Sequence, residues 1–170
     1  IATIPVGDNA IITYDSALNE KETYGSKSAK DKWFDSPEKV FSENGNVAVW
    51  DKANARVQFF FSDGTYKKLS VSKNATSVAV NTTHTAYTDG KKVFVVNNAD
   101  FSLREINTDK YVGAISLTND AVAIYDKNSK AIYTAGLSGN EFSLFAYSRA
   151  GVTEIKAIGG TNPTIYTLAN

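Results

Sequence analysis

The chain has 170 residues, 42% hydrophobic and 21% charged, which is the make-up of a soluble globular domain long enough to bury a core. Its 18 Lys and Arg balance 18 Asp and Glu, so no net field draws it to nucleic acid or to an anionic membrane. Cysteine is absent, which excludes disulfides and Cys-based metal sites, and no apolar run approaches the roughly 20 residues that span a bilayer.

From the start, the uncharged segment IATIPV leads into a strand, IITYD at 11–15. Residues 16–32, SALNEKETYGSKSAKDK, lack an apolar stripe at helical spacing and contain Gly25, so they are expected to form a hairpin tip and loop. VAVWD at 47–51, the turn KANA and RVQFFF then read as strand, turn and strand. SDGT at 62–65 turns into YKKLSV, and its Asp63-Gly64 pair suits a tight hairpin, because glycine tolerates the positive φ required there. A further unit runs TSVAV, HTAYTD, KKVFVV and FSLREI. The next runs YVGAISL, AVAIYD, AIYTAG and EFSLFAY, and the chain ends on VTEIKAI and TIYTL. Period-two alternation holds in nearly every apolar segment, so the fold is expected to be all-β and antiparallel.

The aromatic strands repeat. Tyr14, Trp50, Tyr87, Tyr125 and Tyr166 follow one another at 36, 37, 38 and 41 residues, and Asp15, Asp51, Asp89 and Asp126 close the first four strands. Four short strands per unit of that length is the economy of a β-propeller blade, whose faces are buried only by its neighbours. The sequence predicts a single β-repeat domain over 1–170, with about four four-stranded units and a partial fifth. A β-trefoil or another β repeat is the alternative, and a trefoil holds only three units.

These residues resemble the propellers of the lipoprotein-receptor type, which repeat a strand ending Tyr-Trp-Thr-Asp, then a basic residue, an Ile or Val, and a glycine turn. Here Tyr125-Asp126 is followed by Lys130, Ile132 and Gly139, and Trp50-Asp51 by Arg56, Val57 and Gly64, with glycine thirteen residues after aspartate in both. Tyr87-Thr88-Asp89 keeps the ending with a shorter turn at Gly90, and Tyr14-Asp15 keeps the pair. The resemblance implies a propeller and carries no receptor function. Members of that class generally have six blades. This chain is therefore expected to be a fragment, an unusually small ring, or a protomer completed by another chain.

Each candidate site has a structural and a functional reading. The recurring aspartates would serve as a ring of carboxylates for cations or sugar, or would accept hydrogen bonds from turn amides; the second is favoured because a turn needs one copy per blade. The recurring aromatics, Tyr166 included, are expected to pack between blades rather than form a binding surface. His84, the only histidine, cannot build a triad or a His-based metal site and is expected to face solvent or bond locally. No phosphate loop, calcium loop or cofactor motif is present, so no catalytic residue, cofactor or metal is expected. Asn74 and Asn81 begin triplets that match the glycosylation acceptor.

Ile1 is not an initiator, so the chain is expected to be a processed product or an excised segment; a removed signal peptide is one cause. Abundant Ser, Thr and Asn suggest a secreted or cell-surface protein. The reading reached from sequence is a non-enzymatic extracellular binding or assembly module. Its partners would be proteins or carbohydrate at a surface, with self-association through terminal strands. The alternatives are a structural subunit of a surface layer or filament, and a fragment of a larger propeller enzyme such as a glycosidase or lyase.

Overall fold

A computed structural model describes residues 1–5, 9–25, 28, 30–148, 151–160 and 162–169. Among the described residues every regular element is a β-strand. The chain divides into two compact units, Ile1–Lys73 and Asn74–Asn170.

The first unit holds a three-stranded sheet of β1 (Ala2–Thr3), β2 (Ile11–Tyr14) and β3 (Glu20–Tyr24), and a four-stranded sheet of β4 (Pro37–Glu43), β5 (Asn46–Asp51), β6 (Arg56–Phe60) and β7 (Tyr66–Ser70). The second unit holds two four-stranded sheets and a hairpin. They are β8 (Ser77–Val80) to β9 (His84–Thr88), β10 (Lys92–Asn97) and β11 (Leu103–Asn107); β12 (Val112–Leu117) to β13 (Ala121–Asp126), β14 (Ala131–Gly136) and β15 (Ser143–Tyr147); and β16 (Val152–Ile158) with β17 (Thr164–Ala169). Every strand pairs antiparallel with its sequence neighbour inside its sheet, which is the up-and-down order of a propeller blade. Three blades are therefore complete, while the first sheet has three described strands and the last has two. No three-fold trefoil grouping is present among them.

The turns follow local chemistry. Gly64 sits at φ +82° and donates its amide to Phe61, as the Asp63-Gly64 turn requires. Inner strands are buried on both faces: all six residues of β13 and all five of β6 are buried. Outer strands are largely solvated, so they lose the alternation that marks a strand in sequence. That is why Glu20–Tyr24, expected within a loop over 16–32, is instead strand β3, with four exposed residues out of five. Of that window, Ser26, Lys27 and Ala29 lie outside the described residues, as does Val6 of IATIPV. The start of IATIPV pairs with β2, and the Ile1 ammonium donates to the Tyr14 carbonyl at 3.1 Å.

Within the first unit, Ile11, Phe34, Val47, Val49 and Phe60 form a core between the two sheets. Within the second, β12 and β13 are covered on both sides. Ile115, Leu117, Val122 and Ile124 pack with Val93 and Ile106 of the preceding blade. Ala114, Ala123 and Tyr125 pack with Val152, Ile155 and Ala157 of the hairpin that follows.

Candidate functional site

The strand-end aspartates Asp15 and Asp89 are occupied by their own turns, and Asp51 and Asp126 by their turns together with the connection that precedes their sheet. Asp15 Oδ1 accepts the amides of Ala17 and Asn19 at 2.8 and 2.9 Å. Asp126 Oδ1 accepts Tyr111 N–H at 3.0 Å, and its Oδ2 accepts the Ser129 hydroxyl at 2.6 Å. Burial pushes the Asp126 carboxyl up, but the hydrogen bonds from Ser129, Asn128 and Tyr111 outweigh it and hold it below 3.8. Asp51 Oδ1 accepts the amides of Asp35 and Ser36, and Oδ2 accepts Asn54 Nδ2 and Arg56 Nε.

Register separates residues that look equivalent in sequence. Asp51 and Asp126 stand opposite Pro37 and Val112 at matching bulges. In the β8–β9 pair Tyr87 faces Val78 and Thr88 faces Ser77, so buried Thr88 takes the aspartate's place. Asp89 is one residue further on and accepts the amides of Lys91 and Lys92. In the last hairpin the bulge lies between Val152 and Glu154, which puts Leu168 and Ala169 where Tyr125 and Asp126 stand. Tyr166 is two positions earlier and is 60% exposed. Trp50, Tyr87 and Tyr125 are buried and Tyr14 is half-buried. The Trp50 indole N–H is buried and finds no acceptor among the described residues.

Sequence reading missed a segment before β4. Arg56 Nη2 donates to the carbonyls of Lys30 and Trp33, both at 2.8 Å. Gln58 Nε2 donates to the Trp33 carbonyl at 2.7 Å, and its Oε1 accepts Lys32 N–H at 2.8 Å and the Tyr66 hydroxyl at 2.6 Å. Asn54 Nδ2 reaches the Ser28 carbonyl at 3.3 Å. Phe34 turns inward and is fully buried, whereas Trp33 beside it is 41% exposed. The signal available in sequence was Arg56 and Gln58, two polar residues inside the otherwise apolar strand RVQFFF.

A groove of about 290 Å³ in the first unit is lined by Tyr14, Tyr24, Phe60 and Phe61 together with Lys21 and Glu22. Burial and a hydrogen bond to Glu22 push the Tyr24 hydroxyl up to about 12, so it is a donor there, not a base. His84 Nδ1 lies 2.9 Å from the Thr83 hydroxyl, and burial together with Arg104 lowers it from 6.5. Asn74 is exposed. Asn81 Nδ2 is engaged, donating to the Thr118 carbonyl at 2.8 Å. Among the described residues no three acidic or histidine side chains are grouped to hold a metal ion.

These sheets define a β-propeller repeat protein. No protein-family model and no curated protein sequence matches the chain. Similar solved structures include virginiamycin B lyase from Staphylococcus aureus, with TM-score 0.64 and 15% identity over 95% of this chain and 63% of that one. A streptogramin B lyase aligns with TM-score 0.68 and 12% identity over 99% of this chain and 64% of the lyase. Saccharomyces cerevisiae Sqt1 aligns with TM-score 0.65 and 12% identity over 95% of this chain and 51% of its own. The chain thus spans a little under two thirds of either lyase and about half of Sqt1. At such identities the likeness is one of fold.

Proposed function

We propose that the chain is a non-enzymatic binding and assembly module, secreted or held at a cell surface, and part of a larger propeller or assembly. The observation that carries this reading is the open face of the last hairpin. In the second unit the face of β12–β13 bearing Ala114, Ala123 and Tyr125 is covered by the next sheet. The matching face of β16–β17 bears Ile158, Tyr166 and Leu168, which are 53%, 60% and 61% exposed, with Thr164, Lys156 and Glu154 opposite them. A sheet face of this kind is stable when another sheet lies on it. The occupant in this proposal is protein: a second copy of the chain or a partner presenting a strand or sheet. In support, one similar structure is of BBS1N in complex with ARL6DN. Within the propellers we favour kinship with the Tyr-Trp-Thr-Asp class, supported by the turn-bonded Asp51 and Asp126 behind buried aromatics.

The test is sedimentation of the wild type against Tyr166→Glu/Leu168→Glu. The wild type should associate as its concentration rises and the variant should stay monomeric. A wild type that is monomeric at all concentrations and binds no protein through this face would overturn the reading.

A second reading, a fragment of a larger propeller lyase, is favoured by the two lyases that align over nearly the whole chain. Its test is turnover by the chain, alone and within any longer parent, on glycoside, ester and phosphate substrates and on a streptogramin B.

A further inference from the structure

The segment before β4 departs from the repeat. In the second unit the equivalent connection, from β11 to β12, is residues 108–111, whereas here residues 25–36 separate β3 from β4. The third strand departs with it. Arg56 faces Asp51 where the β13–β14 pair puts Ala131 against Asp126, and Gln58 faces Val49 where that pair puts Tyr133 against Ile124. Both Arg56 and Gln58 are buried, and Arg56 Nη2 and Gln58 Nε2 donate to the backbone of Lys30 and Trp33. Burying an arginine and a glutamine is unfavourable unless every donor and acceptor finds a partner. Here Asp51 and Tyr66 supply part of that set, and the carbonyls of Lys30 and Trp33 and the amide of Lys32, all in one inserted segment, supply the rest. Lys32 is also held in the left-handed region, at φ +65°. Departures from an otherwise consistent repeat concentrate where function is placed.

The fixed backbone presents an indole. Phe34 anchors the segment in the core while Trp33 points to solvent, with the Lys30 ammonium 5.5 Å from its ring centroid. The Lys32 ammonium stands 5.6 Å from the centroid of the Tyr66 ring. Lys68 is paired with Asp31 at 2.8 Å. Among the described residues the ammonium groups of Lys30 and Lys32 are set against rings, not carboxylates. In a chain with no net charge, Lys30 and Lys32 stand beside Asp31 and Asp35, and Lys68 adds the ammonium that pairs with Asp31, which leaves one lysine in excess.

We propose that Trp33, Lys30 and Lys32 form a docking surface for an acidic, extended segment of a partner protein. The partner's apolar side chains would lie on the indole and its carboxylates on the two ammonium groups. Tryptophan is enriched among the residues that dominate protein interfaces, and a side chain on a backbone that is already fixed loses little freedom on binding. A lysine drawn to an aromatic face keeps its full charge and has three N–H donors, so it can still meet a carboxylate. A phosphate backbone is a poorer fit, because Asp31 sits among the lysines and the rest of the chain offers no basic track.

The probe is a fluorescein-labelled dodecapeptide that alternates Glu and Leu, titrated against the full chain. Two controls accompany it: the Lys-Leu counterpart and a single-stranded oligonucleotide of equal charge. The acidic peptide should bind, and binding should weaken as salt is raised. Trp33→Ala should weaken it at least tenfold, and Lys30→Ala/Lys32→Ala should both weaken it and flatten the salt dependence. Both changes are exposed, so circular dichroism should be unaltered, and Leu103→Ala, at an exposed residue of β11, should bind like the parent. The proposal is overturned if the acidic peptide does not bind, if the Trp33 and lysine variants bind it unchanged, or if the oligonucleotide binds as tightly.

Discussion

Asp51 and Arg56 meet across the β5–β6 turn, Oδ2 to Nε at 3.0 Å, with both side chains out of water. The carboxylate is also bonded to the amides of Asp35 and Ser36, and the guanidinium to the carbonyls of Lys30 and Trp33. The pair therefore ties two stretches of irregular chain to one strand end. A buried pair contributes little compared with apolar residues of the same shape, but removing one partner leaves the other charge stranded.

Arg56→Ala should lower the stability of the first unit by about 3–5 kcal/mol, the usual result of breaking a buried pair. Arg56→Met with Asp51→Leu should recover part of that loss by removing both charges, yet still free the segment around Trp33. Urea unfolding gives the first quantity. Proteolysis between Ser28 and Ser36 gives the second, and cutting no faster than in the wild type would show that the pair does not hold the segment.

The repeat aromatics divide into two classes by burial. Trp50→Ala and Tyr125→Ala should each lower stability by about 3–5 kcal/mol through the cavity they open. Tyr166→Ala should change it by less than about 0.5 kcal/mol, as expected for an exposed side chain. If all three behave alike in thermal melts, Tyr166 packs as the other two do.

The contrast shows what a linear repeat carries. Aromatic spacing and period-two alternation located the inner strands, because those strands are buried on both faces and must be apolar, as in AVAIYD. The outer strands YKKLSV, FSLREI and EFSLFAY were legible from their place in the repeat, whereas EKETY, solvated over four of its five residues and outside the aromatic pattern, was not. The phase of the repeat was also only partly legible. Val152 pairs with Ala169, 17 residues on, where Val112 pairs with Asp126, 14 residues on; this longer hairpin moves the repeat position from Tyr166 to Leu168, and pairing register is not encoded in composition. The hold of β6 on the segment before β4 was legible only as two polar residues in an apolar strand: Arg56 and Gln58 reach Lys30 and Trp33 over more than twenty residues, and no local rule names those partners.

Stability should fall in two steps as the pH drops. Burial, with Arg104 nearby, lowers the His84 value from 6.5, so the unfolded chain takes up that proton more readily and His84 subtracts stability below about pH 6.5. Asp126 and Asp89 are held below 3.8 by turn hydrogen bonds that outweigh burial. Their contribution is complete above about pH 4 and is lost as the pH falls through the lowered values. His84→Gln should abolish the first step, read in urea midpoints between about pH 5 and 8, and leave the second, read below about pH 4. A first step that persists in this variant would place its origin elsewhere.

Asn81 joins two turns of the second unit. Its Oδ1 accepts the amides of Thr83 and His84 at 2.9 and 2.7 Å, which closes the β8–β9 turn. Its Nδ2 donates to the Thr118 carbonyl, which closes the β12–β13 turn. Replacing Asn81 with Asp keeps the acceptor but sets a carboxylate oxygen against that carbonyl. Asn81→Asp should therefore lower stability by about 1–3 kcal/mol, the range for a buried polar group left without its partner. The same donor is the atom a glycan would take. In a host that glycosylates secreted chains, exposed Asn74 should be modified and Asn81 should not, because a sugar takes one of the two Nδ2 hydrogens and must fit beside the bond to Thr118. Peptide mapping by mass spectrometry checks this directly. A glycan on Asn81 in protein that melts normally would show that the bond to Thr118 does not hold the two turns together.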